Sequence, residues 1–174
     1  MTIWHCHAAV SLDGKLARPD GSVDWLTDYP PDEALGFARF LESVDAILMG
    51  RGTYDAVRRM GDWPHPEKPT TVLTNRLLED TPPQVEARGG DLAPIVAEME
   101  SAGYGKVWIE GGGVVVRDMI AIGKLDLLEL AIIPVVLGDG IPLFPEGTDE
   151  TRFVLDAAKP WIKGAMHLVY RRAR

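Results

Sequence analysis

The sequence lacks a second cysteine, since Cys6 is the only one among its 174 residues. One thiol excludes an internal disulfide and a cysteine-based zinc site, and a low cysteine content is typical of a reducing compartment. The sequence also lacks an apolar run close to the roughly 20 residues of a membrane-spanning helix. Its first residues show neither a basic segment nor a cleavage pattern for export. We therefore expect a cytoplasmic protein with no metal site.

Positive charge is scarce as well. The chain has 18 Lys and Arg residues against 26 Asp and Glu residues, which gives a net charge of −8. A chain of this charge repels nucleic acids and anionic membranes, so neither is an expected partner. A phosphorylated small molecule can still bind where basic side chains and backbone amides gather at one place. The partner that we expect is therefore a small molecule.

Segments typical of strands and of helices alternate along the chain. Short apolar runs predict buried strands, and apolar residues at helical spacing predict helices. The predicted strands cover residues 3–11, 46–49, 70–73, 85–87, 107–109, 127–136, 152–162 and 165–172, and the predicted helices cover about 31–43, 54–60, 91–102 and 114–122. This order predicts an α/β fold with a central, mostly parallel mixed sheet, helices on both faces and a C-terminal antiparallel hairpin. The length fits a single domain over residues 1–174.

Three consecutive glycines, Gly111, Gly112 and Gly113, join a predicted strand to a predicted helix. Backbone N–H groups and the positive end of the helix meet at such a junction, and the missing side chains let a phosphate approach. A tight turn without a ligand fits this motif equally well. The glycines do not form a G-x-G-x-x-G pattern, so a standard Rossmann dinucleotide site is not indicated.

Two further junctions follow predicted parallel strands, at residues 50–53 and 74–76. They add the guanidinium groups of Arg51 and Arg76, and a guanidinium suits phosphate because it gives paired, charge-assisted hydrogen bonds. For either arginine alone, a surface salt bridge is the simpler interpretation. The carboxyl ends of parallel strands meet at one edge of a sheet, so the junctions together predict a dinucleotide with an additional phosphate, which favours NADP over NAD.

At these segments the sequence resembles the dihydrofolate reductase superfamily. It is most similar to the reductase domain at the C-terminal end of bacterial bifunctional riboflavin-pathway deaminase-reductases, here without the deaminase half. The resemblance lies in residues 9–15, 48–54, 72–76, 109–113 and 133–140, in the family's order. It implies a three-layer dihydrofolate-reductase-like fold and a reductase that uses NADPH. It also makes a homodimer through the later strands an expectation.

The resemblance further implies which residues hold the cofactor. These are Ala9, Leu16, Ala17, Gly50, Arg51, Thr53, Thr74, Asn75, Arg76, Gly111, Gly112, Gly113 and Val114. Hydride would pass to a C=N-type carbon of a small heterocycle, and 5-amino-6-(5-phosphoribosylamino)uracil is the best single expectation. Reduction of dihydrofolate is one alternative. A nucleotide-binding or regulatory domain without turnover is an alternative of another class.

Five side chains are candidates for the catalytic and substrate-binding roles. Glu110 precedes the glycines, where riboflavin-type reductases carry a Glu that faces the substrate. Asp32 is the nearest match to the catalytic carboxylate of dihydrofolate reductases, but a carboxylate in the first turn of a helix is also stabilised by the helix dipole. Asp13, Lys15 and Trp25 are candidates for contact with the substrate. For Asp13 the alternative is a plain Asp-Gly turn, and for Trp25 it is a place in the core.

Overall fold

The computed structural model describes residues 1–29 and 36–173. Its described residues form four α-helices: α1 (Phe37–Ser43), α2 (Arg51–Met60), α3 (Leu92–Ser101) and α4 (Gly113–Ala121). They also form ten strands: β1 (Ile3–Ser11), β2 (Lys15–Ala17), β3 (Ala46–Gly50), β4 (Thr70–Leu73), β5 (Val85–Arg88), β6 (Lys106–Gly111), β7 (Leu127–Ile133), β8 (Ile141–Pro142), β9 (Phe153–Pro160) and β10 (Met166–Arg172). Within the described residues, none of the helices has the length and apolar character needed to cross a bilayer.

Eight strands form the main sheet, in the order β5-β4-β3-β6-β1-β7-β10-β9. The neighbouring pairs from β5 to β7 are all parallel, whereas β10 is antiparallel to both β7 and β9. This arrangement confirms the predicted fold class, including the antiparallel C-terminal pair. Because five consecutive strands from β5 to β1 run in one direction, their carboxyl ends share one edge of the sheet.

The alternation of side chains along β3 shows how the two faces of the sheet are covered. Ala46 and Leu48 point to one face and join a buried cluster with residues of α3 and α4. Ile47 and Met49 point to the other face and join a second cluster with residues of α1 and α2. All four side chains are 1% exposed or less. The prediction of helices on both faces is therefore confirmed.

Several boundaries differ from the predictions, and α2 for example begins at Arg51 and not at Tyr54. β7 ends at Ile133 and not at Val136, because Pro134 has no N–H for the ladder and the amide of Val135 turns back to the carbonyl of Ile133 at 2.8 Å. β2 and β8 pair as a separate two-stranded sheet that is too short to give a sequence pattern. The described part of α1 begins at Phe37, and the predicted first turn of this helix lies outside the described residues.

Candidate functional site

A cleft of about 1350 Å³ runs across the carboxyl ends of β5, β4, β3, β6 and β1. Pockets for small ligands typically have about 300–1,000 Å³. The cleft therefore has room for an extended ligand such as a dinucleotide. The strand order of the sheet sets the order along the cleft, so residues after β5 and β4 line its outer end and residues of β1 and β6 line its inner end.

The three predicted junctions meet in this cleft. Gly50, Thr53, Thr74, Asn75, Gly112, Gly113 and Val114 all line it. The junctions also touch one another, since an added Cβ at Gly50 would lie 3.1 Å from a methyl group of Val115. Gly111 is not among the lining residues of the described chain, but an added Cβ there would lie 3.8 Å from Thr53 Oγ1. Its φ of 119° lies in a region that favours glycine.

Three helices direct their N-terminal ends toward the cleft. The N-cap residues of α2, α3 and α4 are Gly50, Asp91 and Gly112, and none makes a side-chain capping bond. Asp91 is thus the N-cap residue of α3, although its side chain makes no capping hydrogen bond. Each helix offers amide groups at its positive end, which is the arrangement that binds phosphate and other anions.

Arg51 lies in the wall of the cleft near its middle. Its Nε donates to Asp55 Oδ1 at 2.7 Å and its Nη1 donates to the carbonyl of Leu77 at 3.2 Å. Arg76 is exposed and is not among the lining residues of the described chain. It adjoins the rim, however, because its amide donates to Thr74 Oγ1 at 3.1 Å.

The outer end of the cleft contains residues that sequence reasoning missed. Arg88, the last residue of β5, lines the cleft and pairs with Glu98. Gly89 and Gly90 follow it, and the amide of Gly90 donates to Asn75 Oδ1 at 3.1 Å. The sequence did indicate this end of the cleft, because a short strand was predicted over residues 85–87, directly before Arg88, Gly89 and Gly90.

The inner end of the cleft is mainly apolar and carries one carboxylate. Ala9, Leu16 and Ala17 line it, together with Glu110. Glu110 Oε1 lies 3.5 Å from His65 Nε2, and the Glu110 side chain is 12% exposed. Its second oxygen, Oε2, is buried and has no hydrogen-bond partner among the described residues. A buried acceptor without a donor is costly, so this oxygen fits a ligand that brings an N–H group.

A second buried carboxylate lies on the same side of the sheet. Glu129 is 2.9 Å from His5 Nε2, 3.7 Å from His7 Nε2 and 2.7 Å from His167 Nε2. Burial acts to raise the pKa of Glu129, but hydrogen bonds from His5 and His167 and the charges of the histidines outweigh it and lower this pKa to about 2. Burial lowers the pKa of His7 to about 4, against the charge of Glu129. Among the described residues, no group of three or more such side chains is arranged to hold a metal ion.

Asp13, Lys15 and Trp25 are not among the residues that line the cleft in the described chain. Asp13 fastens a loop instead: its carboxylate accepts from Ser11 Oγ at 2.7 Å and from the amides of residues 137 and 138 at 3.0 and 2.8 Å. These bonds, led by that from Ser11, lower the pKa of Asp13 to about 2. Trp25 packs against a buried cluster that includes Ile133.

Lys15 is half-buried in β2, where its amide donates to Ser11 Oγ at 2.9 Å. Asp32, the other candidate acid, lies outside the described residues. The candidate site of the described chain therefore consists of the three glycine-containing junctions with Arg51, the apolar wall at the inner end of the cleft, and Glu110.

Known proteins with similar sequences and structures match nearly the whole chain. The RibD C-terminal domain family matches residues 4–165. The uncharacterised protein YwjB of Bacillus subtilis (strain 168) is 34% identical over 168 residues, which are 96% of each chain. A structure from Shewanella sp. PV-4, named for riboflavin biosynthesis, matches with a TM-score of 0.88, 31% identity and 99% of each chain covered. The dihydrofolate reductase of Enterococcus faecalis with NADP(H) matches with a TM-score of 0.70 and 18% identity over 99% of this chain and 97% of that one, which shows the fold alone.

These matches confirm the resemblance that the sequence motifs indicate. The match to the family leaves out only the first three residues and the last nine. The chain belongs to the RibD C-terminal domain family, a family of reductases with a dihydrofolate-reductase-like fold.

Proposed function

We propose that this protein is an NADPH-dependent reductase that transfers hydride to a C=N-type carbon of a small heterocycle. One observation carries the proposal. A single cleft joins three helix N-termini without side-chain caps to a buried carboxylate oxygen without a partner. The first feature suits the phosphates of a dinucleotide, and the second suits the N–H edge of a heterocycle.

The residues of the cleft fit the cofactor. No described atom lies within 4 Å of an added Cβ at Gly52, and one at Gly112 would meet only Thr53 Oγ1, at 3.6 Å. This open space at the ends of α2 and α4 would receive the pyrophosphate. Arg51, helped by Thr74 and by Arg76 at the rim, would hold the 2′-phosphate. The NADP(H) complex of the Enterococcus faecalis protein supports this choice of cofactor.

The nicotinamide end of the cofactor would lie against Ala9, Leu16 and Ala17. The cofactor supplies the hydride. The apolar wall excludes water, and the Glu110 carboxylate would hold the substrate by accepting an N–H bond, which would set the C=N carbon beside the nicotinamide. Asp32 stays a candidate for the proton donor. Riboflavin-type chemistry, with 5-amino-6-(5-phosphoribosylamino)uracil as substrate, is favoured over dihydrofolate because of the family and the Shewanella relative.

Nucleotide binding is the first test. NADPH and NADH are titrated against the wild-type protein, with tryptophan fluorescence and melting temperature as readouts, and we expect the tighter binding for NADPH. Arg51→Gln should weaken NADPH about 10- to 100-fold, the value of one or two charge-assisted hydrogen bonds, and should change NADH little. Arg58→Gln is the matched control, because it removes the same charge from α2 at a residue that does not line the cleft. Absence of a response to both nucleotides would refute the proposal.

Turnover is the second test. NADPH oxidation is followed by its absorbance with 5-amino-6-(5-phosphoribosylamino)uracil and, separately, with dihydrofolate. We expect the uracil compound to be reduced faster. Tight NADPH binding without oxidation in the presence of either compound would instead favour a nucleotide-binding domain without turnover.

We also propose that the protein forms a homodimer through its C-terminal strands. β9 is an edge strand of the main sheet. Its neighbouring residues Val154 and Leu155 point to opposite faces, and they are 47% and 51% exposed. A long edge strand with uncovered apolar residues is a surface that another chain can pair with. A second copy of this chain is the simplest occupant for a symmetric assembly.

A further inference from the structure

We propose that His65 is a positioning residue that holds the carboxylate of Glu110 in place at the inner end of the cleft. This inference rests on the proposed reductase function and extends it to a residue outside the cleft lining. Glu110 lines the cleft, whereas His65 stands behind it and is 5% exposed. The two residues are 45 positions apart in the chain.

The geometry gives the two carboxylate oxygens different surroundings. Glu110 Oε1 is 3.5 Å from His65 Nε2, which is an ion-pair distance that a small shift would turn into a hydrogen bond. Glu110 Oε2 is buried and has no donor among the described residues. His65 Nδ1 is also buried without a partner. The hydrogen of the imidazole therefore belongs on Nε2, where it has an acceptor.

Aromatic rings hold the imidazole from two sides. Trp108 and Glu110 are two positions apart on β6, and His65 lies beside both of them. The His65 ring is 5.3 Å from the ring of Trp108 at 79° and 5.8 Å from that of Trp63 at 87°. Both are edge-to-face contacts of the kind that aromatic rings favour. The imidazole therefore has little freedom to turn away from the carboxylate.

The loop that carries His65 is fastened as firmly as its ring. The carbonyl of His65 accepts from Trp63 Nε1 at 3.1 Å, from the amide of Lys68 at 3.2 Å and from Gln84 Nε2 at 3.3 Å. Three donors on one carbonyl fix the backbone of a loop that has no regular structure of its own. The position of the imidazole thus does not depend on its contact with Glu110.

The chemical consequence is that the Glu110 carboxylate is already held in position before a ligand brings a hydrogen-bond donor to it. A free Glu side chain loses conformational freedom when it binds a ligand, and a neighbour that already fixes its rotamer removes part of this cost. With Oε1 beside His65, the carboxylate keeps one position in the wall of the cleft. The ligand that fits is a nitrogen heterocycle with an N–H or amino group next to the reacting C=N bond, such as an aminopyrimidine.

Two substitutions of His65 distinguish positioning from packing. His65→Gln keeps an N–H donor and loses the ring, and His65→Phe keeps the ring and loses the donor. If His65 positions Glu110, kcat with 5-amino-6-(5-phosphoribosylamino)uracil should fall about 10- to 100-fold in His65→Phe and clearly less in His65→Gln. If it only packs between the tryptophans, the order is reversed. The affinity for NADPH should stay within about twofold of the wild type in both variants.

A spectroscopic test does not depend on activity. The chain has four histidines, so ¹⁵N-histidine labelling gives few signals, and His65→Gln assigns the signal of His65 by its loss. Glu110→Gln should move the His65 Nε2 signal and leave that of His167 unchanged. Adding 2,4-diaminopyrimidine to the NADPH-saturated wild type should also move the His65 signal, because the probe binds the carboxylate that His65 holds.

The outcomes for the two proposals are separable. If the protein binds no NADPH while Glu110→Gln still shifts the His65 signal, the proposed reductase fails and the coupling of the two residues stands. If the protein reduces its substrate but His65→Phe is as active as His65→Gln or more active, the positioning role is refuted. A His65 signal that does not change in Glu110→Gln refutes it as well.

Discussion

Replacing Gly113 with alanine tests the contact that closes one wall of the cleft. Gly113 is the first residue of α4 and is buried against the loop that follows β8. An added Cβ would lie 3.0 Å from the carbonyl oxygen of Leu143 and 3.1 Å from Pro145 Cδ, and it would collide with the carbonyl oxygen of Pro142. Two of these three neighbours are backbone atoms, which cannot rotate away as a side chain does.

The expected change in the free energy of unfolding in Gly113→Ala follows from two opposing contributions. Overpacking against rigid atoms costs roughly 1–3 kcal/mol, and a clash with backbone belongs at the upper end of this range. Alanine gains at most about 1 kcal/mol over glycine in a helix. We therefore expect Gly113→Ala to lower the free energy of unfolding by about 2 kcal/mol. At about 2–4 °C per kcal/mol for a chain of this size, the melting temperature should fall by about 4–8 °C.

The assay is urea denaturation with thermal melting, and Gly52→Ala is the matched control. Gly52 is also a helical residue that lines the cleft, but no described atom lies within 4 Å of an added Cβ there. Gly52→Ala should therefore melt at or above the wild-type temperature. It should still weaken NADPH, because the methyl group enters the space proposed for the pyrophosphate. A Gly113→Ala variant that melts within about 1 °C of the wild type would refute the reasoning from the close contact.

Three further predictions concern the histidine cluster, the loop fastened by Asp13 and the exposed edge strand. Burial lowers the pKa of His7 from 6.5 to about 4, so the unfolded chain binds more protons than the folded chain between these pH values. The free energy of unfolding should therefore fall by up to about 3 kcal/mol as the pH drops from 6.5 to 4. Urea midpoints measured across this range should fall less in His7→Gln than in the wild type, and equal slopes for the two proteins would contradict the assignment. Asp13→Ala should speed hydrogen exchange at the amides of Leu137 and Gly138, which lose their acceptor, and unchanged protection would show that other contacts hold the loop. Leu155→Lys should convert a dimer into a monomer in sedimentation, and a wild type that sediments as a monomer would exclude the proposed assembly.

The parts of the fold that the sequence predicts well are those with a strong local pattern. The apolar runs of β1, β3 and β4 were found because buried parallel strands are continuously apolar. The three glycine-containing junctions were found because each follows such a run, and their meeting in one cleft follows from the parallel order of the strands. The short pair of β2 and β8 has too few residues to show any period, so only the structure reveals it.

The parts of the site that sequence reasoning missed depend on distant contacts. His65 lies in a proline-rich loop without periodicity, and it reaches Glu110 only because Trp63 and Trp108 pack around its ring. Asp13 has the local pattern of a substrate-facing turn, but its acceptor atoms are taken by amides 124 and 125 residues further along the chain. No local pattern distinguishes a carboxylate that faces a ligand from one that fastens a remote loop.

The pairing of β2 with β8, which are far apart in the sequence, has a consequence for folding during synthesis. The amide of Leu143 donates to the carbonyl of Gly14 at 2.9 Å, and β2 pairs with β8 beside it. β2 leaves the ribosome long before β8 has been synthesised. A nascent chain that ends at residue 136 already contains β1 to β7, yet it lacks the residues that pair with the loop against which the nicotinamide would rest. The proposed nucleotide would therefore be held along its whole length only after residue 143 has emerged.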